Sequence, residues 1–390
     1  MRVAIFTETY IPCTDGVVTR LLNTLDELRR LGHEVLVLAP DGGPPSYAGY
    51  RVEGFPGRPF FLYPDKRVIW PRTRGIDLVR EFQPDVIHTL NPTVFGMAAI
   101  LAAWATDRPL VASYHTHFPH YAKLYGYDYL TGPIWGYMRL LHNRAAVNLC
   151  TSESARQELV HHRFRRVRVW PHGVDLRRFR PTTPDPAMRH RLSGGAPNKT
   201  LLVYVGRLAA EKEIHRLLPA VQGNDDVRLA MVGDGPSRRE LEVLFAGTPT
   251  VFTGTLEGDD LVAAYNAADA FLFPSTTETL GLVLLEAMAC GLPAIAARSQ
   301  PSMDLLGGGE AGILYDGDEP RSLVAAIARF RSDPENVVRL RQAARRRGSE
   351  RGWEAPTRKL VGYYHEAVEH VAAALAPPFP VSGQTGAGGR

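Results

Sequence analysis

The chain has 390 residues, 45% of them hydrophobic and 22% charged, with a formal net charge of +4. That length exceeds one ordinary core and predicts two globular domains. No apolar run approaches the roughly 20 residues that span a bilayer, and Met1 to Phe6 starts a strand instead of a signal peptide, so a cytoplasmic or membrane-peripheral protein is expected.

Short Val/Ile/Leu-rich strands alternate with helical patterns, which predicts α/β units with parallel sheets covered on both faces. In the first half the strands are expected at Val3 to Thr7, Glu34 to Ala39, Asp85 to Thr89, Leu110 to Tyr114 and Val147 to Thr151. After the first strand, Tyr10-Ile-Pro-Cys-Thr-Asp-Gly16 opens a helix running to Leu31. Gly16 reads either as a donor of its N–H to a phosphate or as a plain helix-entry glycine. The loop is not a G-x-G-x-x-G fingerprint, which counts against a dinucleotide oxidoreductase. Ser113-Tyr-His115-Thr-His117-Phe-Pro-His120 follows the fourth strand, with His115 at the strand's carboxyl end, where doubly wound sheets bind ligands. This histidine spacing is not a common metal pattern, and His117 and His120 read as acceptor contacts or packing. Two basic runs carry aromatic residues: Lys66 to Arg80 holds five basic residues and Arg163 to Arg180 seven arginines. Each is either a solvated face or a surface for anionic lipid, and neither belongs to a nucleic-acid module.

Pro181 to Pro197 is dense in Pro and Gly and reads as a linker over 181–198, between a first domain over 1–180 and a second over 199–355. The second half repeats the pattern, with strands at Leu201 to Val205, Arg228 to Val232, Val251 to Thr253, Ala270 to Phe273 and Ala294 to Ala296. Gly206-Arg207-Leu-Ala-Ala-Glu-Lys212 follows the first of these, so Arg207 and Lys212 can offset a diphosphate's charge or simply form a solvated loop. Gly233-Asp234-Gly ends the next strand in a turn that admits close backbone approach. Beyond the fourth strand, Glu278 and Glu286 are separated by seven residues across a loop-to-helix junction at Gly281. Such a pair supplies acceptors for sugar and ribose hydroxyls beside helix N-terminal N–H donors for a diphosphate, an arrangement suited to a sugar nucleotide. The alternative is a buried strand-turn-helix with Glu278 solvated. A helix over 356–376 and a disordered Gly/Pro-rich tail over 377–390 end the chain. The cysteines, three and far apart, read as ordinary buried thiols.

Glu278-x7-Glu286, Gly206-Arg-Leu-x-x-Glu-Lys212, Val232-Gly-Asp-Gly-Pro236 and Tyr114-His-Thr-His-Phe-Pro resemble the retaining glycosyltransferases of GT-B fold, nearest in appearance to the sulfoquinovosyltransferases and glycolipid mannosyltransferases. The resemblance implies two Rossmann-like domains facing a cleft, with the last helix crossing back to the first. It also implies transfer from a nucleotide-sugar donor, UDP-sulfoquinovose or a similar UDP-sugar, to a lipid such as diacylglycerol, with no cofactor and no obligatory metal. GDP-mannose or UDP-glucose are the alternative donors. Carried over residue by residue, the resemblance makes His115 a contact of the transferred sugar and Arg207 and Lys212 phosphate ligands. Glu278 then holds sugar hydroxyls and Glu286 the ribose. Gly16, Gly206, Gly233, Asp234, Thr255, Leu256, Thr279, Leu280, Gly281 and Leu282 complete the donor site. The chain departs at His172, where Asn is usual, and at Ser299-Gln-Pro-Ser-Met-Asp304, where relatives often carry a Gly-Gly turn.

Overall fold

The computed structural model describes residues 1–13, 15–60, 63–124, 126–276 and 281–375. The first half contains β1 (Arg2–Thr7), β2 (Glu34–Pro40), β3 (Ser46–Tyr47), β4 (Tyr50–Phe55), β5 (Arg58–Phe60), β6 (Tyr63–Val68), β7 (Val86–Leu90), β8 (Leu110–Ser113), β9 (Val147–Cys150) and β10 (Val167–Val169). The second contains β11 (Thr200–Val205), β12 (Val227–Val232), β13 (Thr250–Gly254), β14 (Ala270–Phe273), β15 (Ala294–Ala297) and β16 (Gly312–Tyr315). All the expected strands form. Those that were not expected lie at or near sheet edges, together with the separate β5/β6 hairpin; β4 is six residues long, whereas β16 is four residues long and shows no readable period.

The first sheet runs β10-β9-β8-β7-β1-β2-β4-β3 and the second β13-β12-β11-β14-β15-β16. Apart from the antiparallel β3/β4 edge, every pairing in these sheets is parallel. Both orders reverse beside their first strand, between β1 and β7 and between β11 and β14. The loops leaving those strands therefore open outward at two topological switch points, where such sheets take ligands.

Alternation along the strands gives each sheet a core on both faces, and the first half adds a third cluster around Tyr114 and Trp135. Val3, Ile5 and Val37 face Leu21 and Leu25 of the helix Gly16–Arg30, whereas Ala4, Phe6 and Leu38 face Val79 and Ala99 on the other side. Trp170 belongs to the first-domain core and Val174 and Phe179 to the second, so the chain crosses between them. It returns between Ala344 and Leu360, and the closing helix Glu354–Leu375 packs Leu360, Tyr364 and Ala367 onto the first sheet. The two crossings touch: Val174 bridges Gly352, and its N–H donates to the Arg351 carbonyl at 2.8 Å.

The stretch expected as linker is built into the second domain. Asp185 caps a helix over Pro186–Leu192 that buries Met188 and Leu192 in that domain's core, because proline at a helix's first turn starts it as readily as it breaks a later one. The tail over 377–390 lies outside the described residues. Among the described residues no helix is long and apolar enough to cross a membrane. Cys150 and Cys290 are buried, Cys13 is half-buried, and none is in a disulfide.

Candidate functional site

At the second switch point the wall is made of backbone. The Gly206 N–H donates to the Val232 carbonyl at 3.0 Å, the Gly233 N–H to Gly254 at 2.9 Å, and the Leu208 N–H to Asp234 at 2.9 Å. These bonds fasten the loops after β11, β12 and β13 side by side. A Cβ at Gly233, whose φ is 139°, would sit 2.0 Å from the Gly206 carbonyl oxygen, so only glycine permits this stacking. Arg207 and Lys212 leave this platform half-exposed, and the Tyr204 hydroxyl holds the Arg207 carbonyl at 3.0 Å. Asp234 pairs with Arg238 at 2.7 Å, Thr255 is exposed, and Leu256 is turned into the core.

Glu213, just past the basic loop, was not singled out from sequence, yet it joins the two loops flanking the switch point. Its Oε2 accepts from the Thr276 N–H and hydroxyl, both at 2.7 Å, and its Oε1 pairs with Arg216 at 3.1 Å. Glu278, Thr279 and Leu280 lie outside the described residues. The chain resumes at Gly281, in left-handed conformation (φ 57°), as the cap of the helix Leu282–Ala289. A Cβ there would meet Leu305 at 2.7 Å. On this helix Glu286 accepts from the buried Tyr265 hydroxyl at 2.8 Å. Burial pushes the Glu286 carboxyl up to about 7, although the Tyr265 bond and the charge of Arg178 both pull it down. Its Oε1 has no hydrogen-bond partner among the described residues. Ser299 and Ser302 form a capping box that opens the helix Gln300–Leu306, so the departing segment is a helix start with Gln300 bonded to Asp304 at 2.8 Å.

The first-domain wall is made of side chains. Asp15 caps the helix at Gly16 by accepting from the Val17 and Val18 N–H groups, each at 2.9 Å, which leaves Gly16 as the first helical residue. At the end of β1, Glu8 accepts from the Thr93 and Gly96 N–H groups at 2.7 and 2.9 Å. Burial raises its carboxyl while those bonds oppose the shift. Asn91, after β7, accepts from the His115 and Thr116 N–H groups and donates to the Thr116 hydroxyl at 2.9 Å.

The strand-end rule aims His115 at the cleft; the structure places its backbone there and turns the imidazole inward, 2% exposed and edge-on to Trp170. Its Nε2 meets Ser113 Oγ at 2.8 Å, Ser113 Oγ meets His88 Nε2 at 3.0 Å, and His88 Nδ1 meets the Tyr364 hydroxyl at 2.8 Å. Burial and then the Arg20 charge lower both imidazoles, His88 to about 3, so both are neutral. Among the described residues Tyr364 has no acceptor other than His88, so its hydroxyl donates there. Each neutral imidazole carries one N–H, and the chain then runs one way: His88 donates to Ser113 and Ser113 to His115 Nε2. His115 is left protonated at Nδ1.

Arg20, buried and also unforeseen, stacks 3.6 Å from the Trp170 ring and donates to the Trp170 and Pro171 carbonyls at 2.8 and 2.9 Å and to His172 Nδ1 at 2.9 Å. His172 thus serves the crossing segment as a buried acceptor. Burial lowers the Arg20 guanidinium to about 9. His117 bonds Glu158 at 2.8 Å. Burial and His117 lower the His120 imidazole, with Glu213 of the other domain opposing them, and the helix Phe118–Leu124 that carries it packs on Ala210–Lys212. The loops after β8 and β11 therefore meet across the cleft. Among the described residues no cluster of His, Cys, Asp or Glu is placed to hold a metal ion.

Residues 14–178 match the model of Glycosyltransferase Family 4 and residues 190–347 that of Glycosyl transferases group 1. The GDP-mannose-dependent alpha-mannosyltransferase of Mycolicibacterium smegmatis is 38% identical over 94% of this chain and 98% of its own. This chain belongs to that family of glycosyltransferases. The sulfoquinovosyl transferase of Arabidopsis thaliana is 36% identical over 92% of this glycosyltransferase and 72% of its own length. The alpha-monoglucosyldiacylglycerol synthase of Streptococcus pneumoniae is 30% identical over 82% and 76%. Among solved structures, sucrose-phosphate synthase from Thermosynechococcus elongatus superimposes with a TM-score of 0.75 at 20% identity, covering 96% of the glycosyltransferase and 99% of its own chain. Anabaena HepE in complex with UDP and glucose gives 0.75 at 20%, over 93% and 99%. The fold is GT-B.

Proposed function

We propose that this glycosyltransferase moves a sugar with retention from a nucleotide-sugar donor to a lipid acceptor, without an obligatory metal. The observation that carries the reading is the second switch point, where a glycine-stacked platform carries Arg207 and Lys212 beside the Gly281 helix start and Glu286. In this reading the diphosphate lies against Arg207, Lys212 and first-turn N–H groups, whose charge replaces that of a cation on the leaving group. Glu286 Oε1 accepts from the ribose, and Glu278 and His115 serve the transferred sugar. The acceptor hydroxyl oxygen bonds to the anomeric carbon from the side the diphosphate leaves, and its proton passes to a departing phosphate oxygen.

For the donor we favour UDP-sulfoquinovose or a similar UDP-sugar, with diacylglycerol as acceptor, in keeping with the 36% identical sulfoquinovosyl transferase. A second reading, GDP-mannose, has its own support in the mannosyltransferase matched over 98% of its length. Thermal shift with UDP, GDP and ADP separates the bases, and product analysis of the stabilising nucleotide's sugars with diacylglycerol separates the acceptors. Arg207→Ala should abolish transfer. Binding without turnover across donors and acceptors would remove the transferase assignment for this chain, and stabilisation by no nucleotide would remove the donor site.

A further inference from the structure

In each of the two basic runs three arginines are engaged with the chain's own groups. In the first run Arg67 pairs with Asp41, Arg74 with Glu53 and Arg80 with Asp77. In the second, Arg166 holds the Ala145 carbonyl at 2.7 Å, Arg168 pairs with Glu366 at 2.7 Å, and Arg178 holds Gly258. What the fold brings together instead is Arg165 with Arg139 and Arg144, at the end of the helix Thr131–His142. The three line an open cavity of about 430 Å³. Asn143 fixes the arrangement by accepting from the Arg165 N–H at 2.8 Å and donating to the Arg163 carbonyl at 3.1 Å. Among the described residues none of the three guanidinium groups has an acidic partner. The sequence from Tyr129 to Ser152 contains no Asp or Glu.

Three unneutralised guanidinium groups around one cavity call for an anion of more than one oxygen, since each is a planar fork of donors. The surroundings say which kind. Leu140, next to Arg139 on the helix and lining the same cavity, is 57% exposed, and Trp104, on the adjoining helix Gly96–Thr106, is 80% exposed. Apolar side chains of that size beside cations suit an interface with headgroups outside and acyl chains beneath. Tyr137, on the same helix, donates to the Thr93 carbonyl at 3.1 Å, and Thr93 is held by Glu8 at the end of β1. The helix that carries the arginines is thus tied to the loop after β7, on the first-domain side of the cleft.

We propose that the outer face of the helices Gly96–Thr106 and Thr131–His142 docks on an anionic phospholipid bilayer, with Arg139, Arg144 and Arg165 taking a lipid phosphate and Trp104 and Leu140 entering the interface. The purpose assigned to this surface rests on the lipid-acceptor reading; its binding does not. Flotation of the full chain with phosphatidylglycerol-containing and pure phosphatidylcholine vesicles tests it. The chain should float with the anionic vesicles, weaken as salt rises, and bind neutral vesicles far less. Arg139→Gln/Arg144→Gln/Arg165→Gln should weaken binding by about a hundredfold, and Trp104→Ser/Leu140→Ser by about tenfold. Both variants should keep the wild-type thermal shift with nucleotide, which separates loss of docking from loss of fold. Wild-type affinity in the triple variant, or equal binding to neutral vesicles, would overturn the proposal. So would stabilisation by inorganic phosphate without vesicle binding, which would make the cavity a site for soluble anions. Vesicle binding that survives while every nucleotide fails would sink the donor reading and leave this surface standing.

Discussion

The two domains share a strand order and differ in what they place at its reversal. In the second, backbone meets backbone: Gly206, Gly233 and Gly254 stack loop on loop. In the first, buried side chains do the work, with Glu8, Asn91, Ser113, His88 and Arg20 each holding a neighbour. A diphosphate is recognised by N–H groups and cations at close range, which favours removing side chains. Holding a sugar or acceptor in one orientation requires side chains whose own geometry is fixed, which favours a buried polar network.

The comparison predicts that the backbone wall is the less forgiving. Gly233→Ala forces its Cβ into the Gly206 carbonyl in a conformation that disfavours side chains. The expected result is a loss of about 3 kcal/mol of stability and abolition of the nucleotide thermal shift. A variant that binds nucleotide normally would show that the stacking is incidental. On the other wall, Arg20→Leu leaves the Trp170 and Pro171 carbonyls and His172 without their donor. A cost of about 2 to 3 kcal/mol is expected in urea denaturation, with nucleotide binding preserved because the damage lies at the crossing and not on the platform.

Sequence made the fold legible because each β-α unit repeats one readable alternation, and it placed Gly206 and Arg207 just past the end of β11 and Glu286 on the helix after β14, which is where they stand. Arg20 was not legible: it occupies an apolar-face position of its helix, beside Val17, Leu21 and Thr24, where a charged residue breaks the period without declaring a partner 150 residues away. Glu213 adjoins a motif but acts through Thr276, and nothing local announces that bond. The burial of His115 was equally hidden, since strand-end topology fixes where a backbone emerges and not where its side chain turns.

Glu286 gives the comparison a pH dependence. Its carboxyl is raised from the ordinary 4.5 to about 7, so the folded chain holds that proton more tightly than the unfolded one. The group's contribution to stability therefore declines as pH rises from about 4.5 through 7. In the proposed donor site ribose binding runs the other way, because only the ionised form accepts from both oxygens. Nucleotide affinity measured calorimetrically should rise about tenfold from pH 6 to pH 8, and Glu286→Gln should flatten that rise. An unchanged profile in the variant would exclude Glu286 as the titrating contact.

The smallest expected effect lies farthest from the cleft. Tyr364 stands on the closing helix, and its hydroxyl supplies the proton that orders His88, Ser113 and His115. Tyr364→Phe removes one buried hydrogen bond, worth about 1 kcal/mol, and lowers Tm by roughly 2 °C. Stability alone would not distinguish an ordering role from simple packing. The tautomer does: nitrogen NMR of the imidazoles should show His115 protonated at Nδ1 in the native chain and a mixture of tautomers in Tyr364→Phe. Finding the native His115 protonated at Nε2 would reverse every bond in the chain, and the side-chain wall would then be ordered from the cleft inward instead of from the closing helix outward.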